Sequence, residues 1–231
     1  MGLPIIEMKK LRKAFGRKEV LKDFNLSVAR GESLVLLGAS GAGKSVALKL
    51  ILGLERPNSG EVIVRGGPIG MLFQNGALFD SLTVWENVAF ELIENQGWDA
   101  AKARSFAIKI LADVGLPAHV ADMSPSDLSG GMRKRVGLAR AIASSPQIIL
   151  FDEPTTGLDP IMSEVINSLI AKTVRRMGAT AITITHDLLS ARKIADRIVM
   201  LEEGRIVWTG KPAELARAKN AYVRKFVSAA G

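Results

Sequence analysis

A glycine-rich loop near the start of the chain has the residue types that bind phosphate. Its letters, GASGAGKS, cover residues 38–45 and lie between an apolar run, SLVLL, and a helical pattern, SVALKLILGL. Backbone N–H groups of such a loop point at phosphate oxygens, and the dipole of the following helix attracts negative charge. Lys44 would place its charge on the β- and γ-phosphates, and Ser45 would offer a hydroxyl to Mg²⁺. The loop therefore predicts a nucleoside-triphosphate site.

Two carboxylates, Asp152 and Glu153, follow the apolar run IILF far downstream. Such a run predicts a buried parallel strand, and ligands bind at the carboxyl ends of strands in open α/β sheets. There, Asp152 would hold Mg²⁺ through water and Glu153 would polarise the attacking water. Together with the glycine-rich loop, the two acids predict a nucleoside triphosphatase. The sequence has no Asn-Lys-x-Asp segment, with which GTPases normally read guanine, so we set GTPases aside.

A serine and two glycines, Ser129, Gly130 and Gly131, precede a helical pattern that starts with three basic residues, 133–135. A serine at a helix N-terminus caps the helix, and the free N–H groups there can bind an anion. Taken alone, this element is an ordinary helix cap. Placed between a phosphate loop and an acid-ended strand, it is a candidate for a second anion site.

The elements that must position these residues alternate between short apolar runs and longer helical patterns, which predicts an α/β fold with a buried parallel sheet. Candidate strands of that sheet are residues 33–37, 147–151, 179–185 and 197–202. Residues 5–13, 24–29 and 61–65 alternate in the manner of an antiparallel layer. Candidate helices are residues 84–95, 100–114 and 131–143, which indicates a helical insertion.

The composition excludes several classes of protein. The 231 residues include no cysteine, which excludes disulfide scaffolds, thiolate metal sites and cysteine nucleophiles. No apolar stretch approaches the roughly 18–20 residues that cross a bilayer, and the first residues lack the pattern of a secretion signal. We therefore expect a mature cytosolic protein. The net charge of +8 leaves nucleic acid, an anionic membrane surface and phosphate ligands open as partners.

One segment, residues 76–99, differs from this basic background. It carries five acidic residues and no lysine or arginine, and five of the 12 aromatic residues lie between Phe73 and Trp98. The segment predicts a docking surface for another protein, with Glu86 and Glu91 as candidate contacts. The alternative is a helix that buries its aromatic side chains in its own core while its acids face water.

The order and spacing of six motifs resemble the ATP-binding cassette (ABC) family over nearly the whole chain. The glycine-rich loop resembles its Walker A loop, ILFDE its Walker B strand with the adjoining glutamate, and LSGGM its signature. Gln74 resembles the Q-loop glutamine, Asp159 the D-loop aspartate and His186 the switch histidine. In isolation these three residues also fit a solvated loop amide, a helix cap before a proline and an ordinary strand-end histidine. Met132 departs from the glutamine that most members carry there.

The resemblance implies a P-loop NTPase fold with a RecA-like core, an antiparallel β subdomain and an inserted helical subdomain. It implies one domain, residues 1–231, with residues 1–75 and 146–231 as core and about 76–145 as the helical part. Lys44, Glu153 and His186 would be catalytic, and Ser45, Gln74 and Asp152 would bind Mg²⁺. The implied ATP-binding residues are Phe15, against adenine, and Gly38, Ala39, Ser40, Gly41, Ala42, Gly43, Lys44, Ser45, Val46, Gln74, Ser129, Gly130, Gly131 and Asp159. Two copies would pair head to tail, with each ATP between the Walker A loop of one and the signature of the other.

Longer segments, among them MLFQNGALFDSLTVWENVAF and AYVRKFV, resemble the Mla/Mce-type transporter ATPases. This implies phospholipid transport between the membranes of a Gram-negative-type envelope. The implied partners are a membrane permease, an Mce-domain substrate-binding protein and a small STAS-domain protein, with the ATPase peripheral on the cytoplasmic face of the inner membrane.

Two other functions stay open, the ATPase of an amino-acid or other small-solute importer and a soluble ABC ATPase acting on nucleic acid or ribosomes. The single cassette without a coiled-coil insertion disfavours the second, so we expect no direct nucleic-acid partner. The sequence ends at Gly231, and we expect no regulatory contact that needs a longer C-terminal extension.

Overall fold

The structure, a computed structural model, describes residues 2–229. In chain order its elements are β1 (Ile6–Phe15), β2 (Lys18–Val28), β3 (Ser33–Leu37), α1 (Lys44–Ile51), β4 (Ser59–Val64), β5 (Ile69–Leu72), α2 (Val84–Glu94), α3 (Ala100–Asp113), α4 (Gly130–Ala143), β6 (Ile148–Asp152), α5 (Pro160–Met177), β7 (Thr180–Thr185), α6 (Leu188–Ile194), β8 (Arg197–Glu202), β9 (Arg205–Gly210) and α7 (Ala221–Ala229). Short 3₁₀ turns lie between α3 and α4 and before α7. Gly231 lies outside the described residues.

The N-terminal strands form the antiparallel layer that their alternating pattern predicts. The three strands are in the order β2-β1-β4, and both pairs are antiparallel. Along β2 every second or third side chain is buried, with Phe24 fully buried, because one face of the layer packs on the core. The strands are longer than the sequence indicated, since the β1–β2 hairpin turns at only two residues, Gly16 and Arg17.

The central sheet has six strands in the order β5-β6-β7-β3-β8-β9, all parallel except β9. The parallel strands predicted from apolar runs are confirmed, and β3 and β8 match residue for residue. β5 and β9 were not predicted. β5 has only four residues, and its Gly70 lies so close to α4 that a Cβ there would be 2.0 Å from Ala141 O.

The three predicted helices form the helical layer, and each differs from its predicted range by at most one residue at an end. α2 begins at a capping box, in which the side chain of Glu86 accepts hydrogen bonds from the backbone N–H and the hydroxyl of Thr83. The core of this layer continues into the central sheet through Leu72, Ile149 and Phe151. The helical layer therefore does not have a separate core. Within residues 2–229, the structure contains no helix with the length and apolar character needed to span a membrane.

Candidate active site

The phosphate loop connects the end of β3 to the start of α1, as the sequence predicted. Gly41 and Gly43 have φ angles of +79° and +106°, which residues other than glycine rarely adopt. A Cβ at Gly43 would also lie 2.8 Å from Leu21 Cδ2, and one at Gly38 would lie 2.5 Å from Leu201 O. The glycines thus give the loop both its conformation and its close contact with the surrounding strands.

Lys44 is buried in this loop with its ammonium turned inward. Its Nζ donates to the carbonyl oxygens of Gly38 at 2.7 Å and Ala39 at 3.0 Å, and lies 3.7 Å from Glu153 Oε1. Burial lowers the pKa of Lys44, while the charges of Glu153 and Asp152 act in the opposite direction. A cation held inside the loop is available to pair with phosphate oxygens.

The two acids stand at the carboxyl end of β6, facing the phosphate loop. Burial, and then the neighbouring charge of Glu153, raise the pKa of Asp152, although Lys134 and Lys44 oppose them. Glu153 has a φ of +47°, and its backbone N–H donates to Ile184 O at 2.9 Å. This left-handed conformation is strained for a residue other than glycine, and such strained residues cluster at functional sites.

The carboxylate of Glu153 is fixed from three sides. His186, at the end of β7, places its Nδ1 2.8 Å from Glu153 Oε2, and the hydroxyl of Thr156 donates to the same oxygen at 3.3 Å. Lys44 lies on the side of Oε1. His186 is exposed and Glu153 is only 13% exposed, so the histidine covers the carboxylate on its solvent side. The pair has the geometry of a base and the group that orients it.

These residues line a cavity of about 750 Å³. The predicted site residues on its wall are Phe15, Ala39, Ser40, Gly41, Gly43, Lys44, Ser45, Val46, Gln74, Asp152, Glu153 and His186. Gly38 and Ala42 belong to the same loop and are buried. One cavity therefore brings together residues separated by more than 170 positions in the sequence, with the half-exposed ring of Phe15 at its edge.

Three residues of the cavity wall were missed by the sequence analysis: Lys18, Val20 and Phe226. Lys18 and Val20 follow Phe15 across the β1–β2 turn, so the hairpin itself was the available signal. Phe226 comes from α7, whose buried Val223 and partly buried Tyr222 anchor the helix on the C-terminal core. The spacing of the apolar residues in AYVRKFV indicates an amphipathic helix, but only the folded chain shows where that helix lies.

The donors near the phosphate loop suit Mg²⁺. They are a hydroxyl at Ser45, a carboxylate at Asp152 and an amide at Gln74, and Mg²⁺ prefers oxygen ligands. Within residues 2–229 no group of three or more His, Asp or Glu side chains could by itself hold a metal ion. Because Mg²⁺ usually binds through one or two carboxylates together with substrate phosphates, this sparse donor set fits a metal that arrives with a nucleotide.

Four predicted ATP contacts from outside the phosphate loop, Ser129, Gly130, Gly131 and Asp159, do not line the cavity. Ser129 caps α4 by accepting from Met132 N at 3.3 Å, and Asp159 caps α5 by accepting from Met162 N at 2.9 Å. Both serve the helix-capping role that the sequence left open. Gly131 packs against the end of Met162, which a Cβ would approach to 2.6 Å. Their contact with nucleotide stays a prediction that requires a second chain.

The family model described as "ABC transporter" matches residues 21–156, more than half of the chain. The chain belongs to the ABC transporter family. It is the ATP-binding subunit of an ABC transporter, and the cassette is an ATPase. The matched residues contain the phosphate loop, the signature and the acid-ended strand.

The names of similar proteins point to different transported compounds. The cassette is 37% identical to protein TRIGALACTOSYLDIACYLGLYCEROL 3 of Arabidopsis thaliana, over 97% of this chain and 73% of that protein. It is 39% identical to the probable ribonucleotide transport ATP-binding protein mkl of Mycobacterium tuberculosis, over 98% of this chain and 68% of that one. The methionine import ATP-binding protein MetN of Symbiobacterium thermophilum is 40% identical over 96% and 72% of the two chains.

Solved structures confirm the predicted fold class. The cassette resembles the dimeric post-hydrolysis state of the ATP-binding cassette MJ0796 bound to ADP and Pi, with a TM-score of 0.81 and 33% identity over 90% of this chain and 98% of that one. It also resembles cbiO1 from Clostridium perfringens, with a TM-score of 0.83 and 28% identity over 97% and 94%. The α/β fold with one antiparallel and one mainly parallel sheet is that of an ABC cassette.

The arrangement can cleave the terminal phosphate of ATP by positioning and electrostatics. The loop N–H groups and Lys44 would bind the phosphates, and the Mg²⁺ held near Ser45 and Asp152 would neutralise developing charge. Glu153, kept in place by His186, would polarise the attacking water and accept its proton. The phosphate loop and Glu153 follow different strands of one sheet, β3 and β6, so their separation is fixed by the sheet itself.

Proposed function

We propose that this cassette works as a head-to-tail homodimer beneath a membrane permease and powers the movement of lipid, on the cytoplasmic face of an inner membrane. The observation that carries the proposal is an exposed aromatic groove whose wall includes residues on both sides of Gln74, which itself lines the nucleotide cavity. Nucleotide at Gln74 would change the position of this groove and so act on whatever is bound in it.

The groove has a volume of about 400 Å³. The rings of Phe73, Phe79 and Phe90 stand on its wall, each between about a third and a half exposed, and Glu91 and Arg140 supply charge. Three exposed aromatic rings around one concave surface are typical of a protein-docking site. The other aromatic residues of the segment, Trp85 and Trp98, pack on the core of the helical layer. The groove rings therefore support the docking interpretation of the segment, and the two tryptophans support the core interpretation.

Of the two candidate docking acids, only Glu91 lines the groove. Glu86 is engaged in the cap of α2, where it holds the N–H and hydroxyl of Thr83 at 2.7 and 2.6 Å. Reversing the charge of Glu86 would therefore test the stability of α2 and not docking. The capping box thus gives Glu86 a role within the chain, and Glu91 is the acid that we propose for docking.

The dimer is supported by the position of the signature. Ser129 and Gly130 are exposed and lie outside the cavity of their own chain, as does the D-loop residue Asp159. A second copy in head-to-tail arrangement would place these groups over the phosphates. The similar cassette MJ0796 was solved as a dimer bound to ADP and Pi, which supports the same assembly here.

Lipid is the favoured cargo because of two resemblances. The motifs of the chain are similar to Mla/Mce-type ATPases, and the plant protein at 37% identity takes its name from a galactolipid. On this proposal an Mce-domain protein and a STAS-domain protein complete the complex. The alternative is a small-solute importer, favoured by 40% identity to a methionine import protein and 39% to one named for ribonucleotide transport.

Purification of the cassette with its associated membrane subunits tests the proposal. We expect a detergent-stable complex that contains a permease and an Mce-domain protein, with phospholipid detected by native mass spectrometry. In phospholipid nanodiscs the ATPase rate of the complex should change with the lipid supplied and stay constant with methionine or ribonucleotides. A complex with a periplasmic solute-binding protein and stimulation by a small solute would establish the importer instead.

A matched pair of variants tests the groove. Phe79→Ala should abolish copurification of the permease while the isolated cassette keeps its ATP affinity, because the ring faces the groove and not the cavity. Leu189→Ala, an exposed apolar residue on α6, is the control and should copurify normally. Normal assembly of the Phe79 variant would remove the groove from the docking surface.

A further inference from the structure

A buried lysine on the signature helix α4 contacts the backbone of two residues whose side chains line the nucleotide cavity. Lys134 is only 5% exposed. Its ammonium donates to the backbone carbonyl of Gln74 and, at 3.3 Å, to the backbone carbonyl of Glu153. One side chain thus joins the signature helix, the loop at Gln74 and the end of β6.

The same helix holds the loop at a second place. Arg140 donates from Nη1 to Ala77 O at 2.8 Å and from Nη2 to Gly76 O at 3.0 Å. Between the two cations, Gly137 lies so close to the loop that a Cβ would be 3.3 Å from the Cα and O of Gly76. The loop that follows Gln74 is therefore fixed to α4 over nearly two turns, and the two should move as one unit.

Packing alone does not explain a lysine at this position. Burial of an ammonium costs free energy that an apolar side chain of similar length would not incur. Burial lowers the pKa of Lys134, and the charges of Asp152 and Glu153 act against that shift. What the lysine adds over a methionine is a pair of directed hydrogen bonds to carbonyl groups of two different segments.

Glu153 is well placed to respond to such a bond. Its backbone has a φ of +47°, and its carboxylate is held at 2.8 Å by His186. A rotation of the peptide that carries the Glu153 carbonyl would move the carboxylate relative to the phosphate loop. Because general-base catalysis depends on distances within hydrogen-bond reach, a small movement there changes the rate.

We propose that Lys134 is a positioning residue for ATP hydrolysis. Its side chain fixes the position of the signature helix relative to the backbone at Gln74 and Glu153. It acts through peptide carbonyls and does not touch the reacting atoms. The consequence for cooperation between sites rests on the proposed dimer, in which Ser129 at the start of α4 contacts the ATP of the partner. A shift of α4 caused by nucleotide at the partner's site would then be transmitted through Lys134 to Glu153 of this chain.

The experiment compares Lys134→Met, which keeps the length and removes the donors, with Lys134→Arg, which keeps a cation. Lys109→Met, at an exposed lysine of α3, is the control. Each variant is measured for its Kd for a fluorescent ATP analogue, its kcat, KM and Hill coefficient for ATP, and its Tm. A merely structural residue would lower binding and turnover together, whereas a positioning residue lowers kcat at nearly unchanged Kd.

We expect Lys134→Met to keep its Kd within about threefold, to lose at least about tenfold in kcat, equivalent to about 1.4 kcal/mol, and to lower the Hill coefficient toward 1. Lys134→Arg should recover most of the turnover, and Lys109→Met should match the wild type. Wild-type kcat in Lys134→Met, or a parallel loss of Kd and kcat, overturns the proposal. If Lys134→Met does not fold, Lys134→Leu, which also lacks a donor, replaces it, and turnover equal to that of Lys134→Arg is the overturning result.

The outcome also separates this proposal from the dimer. A wild-type cassette that stays monomeric with ATP and shows a Hill coefficient of 1 overturns the proposed dimer and the transmission between sites. The kcat of Lys134→Met relative to wild type then still decides whether Lys134 positions Glu153 within its own chain.

Discussion

Replacement of Glu153 by glutamine is the most direct test of the active site. The change removes one negative charge and almost no volume, and the side chain is 13% exposed, so the amide fits the same space. The amide oxygen can still accept a hydrogen bond from His186, which lies 2.8 Å from Oε2 in the wild type. The geometry of the pocket should therefore persist, and the variant isolates the loss of the base.

The expected loss follows from the role of that base. General-base catalysis contributes about 10²–10⁴-fold, so we expect kcat to fall at least about 100-fold. ATP binding should remain, because Lys44 and the loop N–H groups are unchanged. Removal of the charge 3.7 Å from Lys44 also leaves that cation with one fewer counter-charge, which favours pairing with phosphate. ATP should consequently hold the variant in the dimeric form.

Two assays follow the prediction. Phosphate release measures kcat, and size-exclusion chromatography with and without ATP measures dimerisation. Glu61→Gln, at an exposed glutamate of β4, is the matched control and should behave as wild type in both. Turnover of Glu153→Gln within about threefold of wild type would falsify the assignment of Glu153 as the base.

Three further predictions concern other residues. Lys44→Ala should weaken binding of a fluorescent ATP analogue by at least about tenfold, because a charge-assisted contact worth about 1.5–3 kcal/mol is lost; unchanged affinity would contradict the phosphate-loop assignment. Asp152→Asn should abolish turnover yet raise the Tm of the nucleotide-free cassette at pH 7. Because the pKa of Asp152 is raised in the folded state, folding favours the neutral carboxyl, and the stability of the wild type falls as the pH rises through that pKa. A Tm of Asp152→Asn below that of the wild type would refute this sign. Glu86→Lys should lower the free energy of unfolding by about 0.5–2 kcal/mol through loss of the α2 cap. Glu91→Lys should leave the Tm unchanged and prevent copurification with the permease. Thermal unfolding of both variants therefore distinguishes a residue of the helix cap from a residue of the groove.

Much of the fold was predictable because it depends on local patterns. Short apolar runs specified the central strands, which have five or six residues, and the loop glycines specified the strand-to-helix turn before Lys44. β5 and β9 escaped prediction because one is four residues long with a glycine inside and the other is half-exposed throughout its middle. Such strands are stabilised by the neighbours that they pair with. The partner of β5 is Ile148–Asp152, which is distant in sequence, and the partner of β9 is Arg197–Glu202, which precedes it across a short turn.

The sequence by itself determined the chemistry of the site, because phosphate loops and acid-ended strands require particular residues at particular spacings. It also singled out residues 76–99 as the candidate docking segment, since the aromatic residues concentrate there. Only the tertiary structure distinguished the two acids of that segment. Glu86 accepts hydrogen bonds in the cap of its own helix, whereas Glu91 lines the groove. The same holds for Phe226 and Lys134, which reach the nucleotide site from α7 and α4. Contacts between elements far apart in the chain depend on how helices pack on the sheet, and no local pattern contains that information.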